Sequence, residues 1–522
     1  MILIAGGYSG AQKIAAQPRV TIDAGQLAGM QWDENAKDVA FLGIPFAAQP
    51  VGKLRWQPPQ PPAKWAGVRQ AVAYGPACPQ LPSGWLPEML GRKELKTDEA
   101  CLYLNVWTTN LHGRSKQPVM VWIHGGGNVE GSGEMPPLGP TLAKHGVVVV
   151  SIQYRLQALG FFSYAALAAE SPHHASGNYG LLDQMEALRW VRRNIAKFGG
   201  DAKQVTIFGA SSGSEDVCHL MASPLPTGLF QRAILQSGTC EDYVMPSAEQ
   251  TEVSDARLLQ DLGIQNGPHA LDALRALPAE RILQAAAKDE QLLLEPNLDG
   301  WVFRQRPAVT FAEGREADVP VMVGSNAQEV TIFASPIVGG SSSHRPKTIA
   351  EYKRWLQREF HGNADAVFAA YPARTDAGVP KVFVEMDTDS QFGFGAHLLA
   401  EETARRGQKA YLYHFTYVGA GKFAPLGAFH SEESILLSKK YWTTWVHRPE
   451  DEVLSNVLIG YWTQFAKTGN PNAAGLPAWH AFNPKLDQCQ ELGLQVGSIP
   501  VPHAENMQVF DRMLKAELQE TH

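Results

Sequence analysis

Apolar residues in this chain gather in short unbroken runs separated by stretches of helical spacing. Val119-Met120-Val121-Trp122-Ile123 and Val147-Val148-Val149-Val150 are continuous apolar segments, the pattern of parallel strands covered on both faces. A short helix is expected between them. Leu181, Met185, Leu188, Val191 and Ile195 then recur at helical intervals, and Gly199-Gly200 supplies a stop. A strand at residues 205–208, a glycine turn, a helix running toward Met221 and a strand at residues 233–237 follow. Strands alternating with helices over short connections predict the α/β class: a large, mostly parallel central sheet flanked by helices.

After Ser237 the pattern changes. Residues 250–290 are rich in Ala and Leu and read as helical, residues 319–323 as a strand, 348–406 as largely helical, and 410–415 as a strand again. The chain is therefore expected to be a single catalytic domain over residues 1–522, with helical insertions at about 240–318 and 335–408. No internal repeat is visible, and large α/β folds with insertions often run this long as one unit. Gly339-Gly340-Ser341-Ser342-Ser343 is expected to be a flexible surface loop.

Composition narrows the function. With 45 basic against 52 acidic residues and a net charge of -7, the chain lacks the basic surplus of a nucleic-acid binder. No apolar run reaches the length of a membrane-spanning helix. The start, Met1 to Gly10, is apolar but has no basic n-region, so either a leader has been removed or the protein stays in the cytoplasm. The five cysteines show no C-x-x-C spacing, which argues against a structural zinc site, and no metal is expected.

Two glycine-rich motifs carry the chemistry. Gly209-Ala210-Ser211-Ser212-Gly213 fits G-x-S-x-G, a common string in a chain with 48 glycines. Its position between an expected strand and an expected helix is what gives it weight, because a strained elbow there lifts a serine hydroxyl above the sheet. The bland alternative is a glycine turn with an incidental serine. His124-Gly125-Gly126-Gly127 closes the strand that begins at Val119. Its unobstructed backbone N–H groups suit an oxyanion, with Ser212 N–H as a further donor. A phosphate loop is the alternative, but the Lys-Ser/Thr ending is absent.

A serine nucleophile needs a histidine base and a carboxylate to orient it, in the chain order serine, acid, histidine. Glu329 follows the strand ending at Val323, and His430 follows the strand ending at Phe415. Among 16 histidines and 52 acidic residues, order alone singles out neither.

Longer strings resemble the type-B carboxylesterase family, which includes bacterial carboxylesterases, cholinesterases and fungal lipases. They are Gly43-Ile44-Pro45-Phe46-Ala47, Pro50-Val51-Gly52-Lys53-Leu54-Arg55-Trp56, Cys101-Leu102-Tyr103-Leu104-Asn105-Val106-Trp107 and Phe465-Ala466-Lys467-Thr468-Gly469-Asn470-Pro471-Asn472. In layout the chain looks closest to bacterial members. The resemblance implies an α/β-hydrolase fold with helical insertions over the active site. It implies a triad of Ser211, Glu329 and His430 and an oxyanion hole of Gly126, Gly127 and Ser212. It also implies a Cys78–Cys101 disulfide, hence a secreted or periplasmic setting with a cytoplasmic one as the alternative. Glu99 and Arg155 match positions that resemble a structural ion pair. Cys218 and Cys240 either pair or remain buried thiols.

The chain also departs from the family pattern. Ala210 stands where glutamate is usual, Ser212 where alanine is, Asn128 where an aromatic follows the glycines, and Val330 where glycine often follows the acid. Glu130, Glu215 and Asp216 add carboxylates nearby. Asn128, Glu130, Ala210 and Glu215 are thus candidate substrate contacts in a pocket expected to be more polar than usual. Trp301 and Phe333 are candidates for the acyl pocket or for the core. The implied activity is cofactor-free hydrolysis of a small-molecule carboxylic ester, with specialisation for a bulky or polar one as the expectation. Alternatives are a carbamate or amide hydrolase with the same triad, or a non-catalytic adhesion homologue.

Overall fold

The computed structural model describes residues 17–520 apart from 36, 83–93, 241–244, 336–344 and 442–443. The apolar start and the Gly/Ser run at 339–343 lie outside the described residues.

Among the described residues, eleven strands form the main sheet: β1 (Met30–Gln31), β2 (Val39–Pro45), β3 (Tyr103–Thr108), β4 (Gln117–Ile123), β5 (Val148–Ile152), β6 (Gly200–Ala210), β7 (Arg232–Gln236), β8 (Val321–Asn326), β9 (Ala410–Phe415), β10 (Gln488–Leu492) and β11 (Val496–Pro500). Their spatial order is β11-β10-β9-β8-β7-β6-β4-β5-β3-β2-β1. From β5 through β10 every neighbouring pair is parallel; the outer strands at both edges pair antiparallel.

The unbroken apolar runs have their explanation in this sheet. Val119, Val121 and Ile123 enter one core layer, whereas Met120 and Trp122 enter the other, because successive strand side chains point to opposite faces. β5, β7 and β8 divide in the same way. Each such valine or isoleucine is essentially inaccessible, contributing about 1.5–3 kcal/mol relative to exposure. Helices α1 (Tyr179–Asn194) and α2 (Ser212–Ala222) cover one face. The helix Pro449–Thr468 packs on the other.

β6 is longer than its apolar stretch. A register shift between Gln117 and Val119 lets Gly200 pair with Gln117, so the mostly polar stretch Asp201-Ala202-Lys203-Gln204 extends the strand. The two expected helical stretches are present. One includes Ala248–Asp261, Ala270–Ala276 and Ala279–Ala286, and the other includes Ile349–Phe360, Val379–Thr388 and α3 (Phe394–Arg405). Ser247 with Gln250, and Thr348 with Glu351, form reciprocal caps at their starts. A π-helical turn, Asp389–Gly393, precedes α3.

Cys78 and Cys101 are bonded, and so are Cys218 and Cys240, leaving Cys489 as a buried thiol. The expected pairing of Glu99 with Arg155 is not what the structure holds. Glu99 takes the guanidinium of Arg55 at 2.5 and 2.6 Å. Arg155 grips Asp183 through two side-chain bonds of 2.7 Å each. Each charge meets a nearer partner with fork geometry, which a buried ion needs.

Candidate active site

Gly126 and Gly127 follow β4, Ser211 follows β6, Glu329 follows β8 and His430 lies in the segment after β9, all beyond the carboxyl ends of the parallel strands. The sheet order reverses at β4, with β5 on one side and β6 on the other, and a crevice opens beyond such a switch point. Ser211 occupies the corner between β6 and α2 with φ 58° and ψ -135°. For a residue with a Cβ this conformation costs about 1–3 kcal/mol and persists only when its surroundings enforce it. Here its N–H donates to Gln236 O at 2.9 Å, and its carbonyl accepts from Ser214 and Glu215 N–H. The flanking glycines are required by contact. A Cβ on Gly209 would sit 2.3 Å from the Gly213 carbonyl oxygen, and one on Gly213 would sit 2.3 Å from that of Ile123.

Gly126 (φ 118°) and Gly127 (φ 63°) turn the chain directly after β4. The Gly126 carbonyl accepts from the N–H groups of Val129 and Glu130, at 3.1 Å each. Asn128 was expected to touch substrate, but it is buried and faces away from the crevice. Its N–H donates to Ser212 Oγ at 3.1 Å and its Nδ2 to Asp216 Oδ1 at 3.2 Å. It supports the loop because a short amide reaches the buried carboxylate behind it.

Glu329 is fully buried three residues past β8. Its Oε1 accepts from Asn326 N–H at 2.6 Å, and its Oε2 lies 2.6 Å from His430 Nδ1. The other ring nitrogen, Nε2, is buried without a hydrogen-bond partner among the described residues. It belongs to a side chain that lines the same cavity as Ser211. Burial disfavours the imidazolium, but the charge and hydrogen bond of Glu329, helped by the charges of Glu433 and Glu215, outweigh it and hold His430 above its ordinary value.

A second buried carboxylate, Glu433, sits behind this pair. It accepts from Gln236 Nε2 and Asn326 Nδ2, both at 2.8 Å, and burial pushes its carboxyl up. Asn326 therefore serves two acids at once, one through its backbone and one through its side chain. Glu432 accepts the N–H groups of Gly419 and Phe429, which ties down the loop that carries His430. His124 is a core histidine: stacked on Tyr154 at 4.4 Å, it is pushed down to about 4 by burial.

The cavity over these groups measures about 550 Å³, a size that takes a drug-sized molecule. Gly126, Gly127, Glu130, Ala210 and Glu215 line it. Its walls are more apolar than expected, since Trp122, Met135, Ile332, Phe333 and Phe392 also line it. Phe333 and Phe392 each stand 5.0 Å from the His430 ring. Trp301 is elsewhere, stacked on His173. Phe392 and Gln391 could not be found from sequence motifs. They reach the cavity from the π-helical turn far along the second insertion. Among the described residues, no three His, Cys, Asp or Glu side chains are grouped to hold a metal ion. No described helix is long and apolar enough to cross a membrane.

A sequence model described as the carboxylesterase family matches residues 16–510. A fumonisin B1 esterase from Sphingopyxis macrogoltabida is 36% identical over 470 residues, covering 88% of this chain and 84% of the relative. Carboxylesterase 1C of Mus musculus is 35% identical over 483 residues, covering 88% and 85%. Among solved structures, the Geobacillus stearothermophilus carboxylesterase EST55 at pH 6.2 superposes with a TM-score of 0.82 at 32% identity, covering 94% of this chain and 99% of that one.

Proposed function

The chain belongs to the carboxylesterase family of α/β-hydrolase enzymes and hydrolyses carboxylic esters; on that premise we propose that it does so by two-step acyl transfer through Ser211, His430 and Glu329. One observation carries this reading. Glu329 orients His430 from one side, and the opposite ring nitrogen, on a side chain lining the cavity that Ser211 lines, has no hydrogen-bond partner among the described residues.

His430 Nε2 takes the Ser211 proton as Oγ attacks the ester carbonyl. The oxyanion is received by the N–H groups of Gly126, Gly127 and Ser212, each donor being worth about 10²–10³ in rate. His430 then protonates the leaving alcohol, and water activated by the same ring releases the acid. The Glu329 carboxylate, bonded to Nδ1, orients the ring and stabilises the imidazolium. The substrate is a small-molecule ester, and a cavity of about 550 Å³ has room for one larger than a short aryl ester. A relative named for fumonisin B1 is consistent with a bulky substrate. The two disulfides favour a secreted or periplasmic setting.

The test is hydrolysis of short p-nitrophenyl esters by the wild type and by Ser211→Ala. Turnover abolished in a folded mutant is the expected result. Activity that survives the substitution removes Ser211 as nucleophile.

A further inference from the structure

Behind the glycine loop lies a buried polar cluster that the acyl-transfer scheme does not use. Asp216, in α2, is fully buried. Its Oδ1 accepts from Asn128 Nδ2 at 3.2 Å and its Oδ2 from Gln184 Nε2 at 2.5 Å. His219 Nδ1 is 3.7 Å from Oδ1. Asn128 is held at two further points: its N–H donates to Ser212 Oγ, and its carbonyl accepts from Gln157 N–H at 2.8 Å. Its φ is 55°, a region that asparagine tolerates better than most residues with a side chain.

The placement matters for the oxyanion. Gly126 and Gly127 immediately precede Asn128, and Ser212 immediately follows Ser211, so the proposed donors come from two separate segments. A run of three glycines has no side chains to fix it and the widest backbone freedom. Electrostatic catalysis needs donors already aligned on the developing charge. Asn128 is the residue at which the two segments are joined, through a hydroxyl on one side and a carboxylate below. Positions 128 and 212 are also two of the places where this chain departs from the family's usual residues, and here the departures are bonded to each other.

We infer that Asn128, Ser212 Oγ and Asp216 form a latch that holds the glycine loop in register with the start of α2, so that the Gly126, Gly127 and Ser212 N–H groups converge on one point. These are positioning groups, because the side chains act on the donors and not on the substrate. The inference rests on the acyl-transfer reading above.

Ser212→Ala removes the hydroxyl and keeps the backbone donor; Asn128→Gly removes the amide without backbone strain. Because complete loss of a donor costs about 10²–10³, misalignment is expected to lower kcat about tenfold in each variant, with KM within about twofold. A trifluoromethyl ketone, whose adduct with Ser211 carries the oxyanion, should lose affinity by the same factor. Ser212→Thr, which restores the hydroxyl, should recover both. The double variant should be no worse than the worse single, since both open one latch. Folded Ser212→Ala and Asn128→Gly proteins with kcat and ketone affinity within about twofold of wild type overturn the latch alone. So does a fall in kcat that leaves ketone affinity unchanged. Ser211→Ala that retains activity overturns the underlying reading and the latch with it. Asp216→Asn is the supporting variant; should it fail to fold, Ser212→Ala, a change of one atom, still decides.

Discussion

Glu329→Gln replaces one oxygen by nitrogen, and the neighbouring groups determine the result. Asn326 N–H donates to Oε1 at 2.6 Å while Oε2 faces His430 Nδ1 at 2.6 Å. In the glutamine variant the oxygen stays with Asn326, since an NH₂ group there would face another donor. The amide NH₂ then points at Nδ1, which must give up its proton to accept the bond. That proton moves to Nε2, the atom that has to take the hydrogen of Ser211. Glu329 is fully buried, so water does not substitute for the lost charge. The wrong tautomer is expected to lower kcat about 10³–10⁴-fold, or about 4–5.5 kcal/mol of barrier. The assay is p-nitrophenyl butyrate turnover from about pH 5 to pH 9, normalised by organophosphate titration of Ser211. His430 works as the neutral ring, and burial is outweighed by Glu329 so that its value stands above 6.5; wild-type activity is therefore lost as pH falls through that raised value. Without the Glu329 charge, burial gains and the residual acid limb should move to lower pH. A variant within about tenfold of wild type, or an acid limb that stays put or rises, would refute the assignment.

Gly126→Ala should reduce kcat about 100-fold, because φ is 118° and the added Cβ would lie 2.2 Å from Glu130 O; steady-state kinetics on the folded variant checks it. Phe392→Ala removes a ring 5.0 Å from His430 and should shift the kcat/KM ratio of long-acyl to short-acyl esters upward about tenfold, whereas an unchanged ratio excludes Phe392 as a wall. Asp183→Asn strips the buried Arg155 of its counter-ion and is expected to cost about 3–5 kcal/mol, read by denaturant unfolding, with turnover per folded molecule little altered.

The sheet was readable because its strands are buried on both faces, so hydrophobicity alone marks them; β9 was located to the residue. The strand β6 was underestimated because its first residues are polar and enter the ladder through a register shift, which leaves no periodic trace. The two glycine motifs are legible as strings because backbone contact at Gly125 and Gly126 in one, and at Gly209 and Gly213 in the other, forbids other residues. The acid and the base were not legible from spacing: Glu329 and His430 are 101 residues apart and meet only through the β8–β9 pairing. Resemblance was needed to name them. It misplaced the partners of Glu99 and Arg155, since matching single positions says nothing about which charge lies nearest in space. Asn128 reads as a substrate contact from sequence because a polar residue beside a glycine loop gives no sign of which way it turns. Phe392 left no signal at all, being an ordinary aromatic in a helical stretch.

The origin of the cavity wall has a further consequence. Ile332, Phe333, Gln391 and Phe392 all come from the excursion between β8 and β9, while the nucleophile and the glycine turn are fixed at the ends of β6 and β4. The excursion thus supplies the apolar wall beside His430 as well as Glu329, while Trp122, Met135 and Glu130 complete the cavity from the stretch that follows the centre of β4. Substitutions at Ile332, Phe333, Gln391 and Phe392 can retune which molecules enter while Ser211 and the glycine turn keep their places at the ends of β6 and β4. A chain built this way can acquire a new diet by editing one segment, and laboratory libraries aimed at altered substrates should begin there.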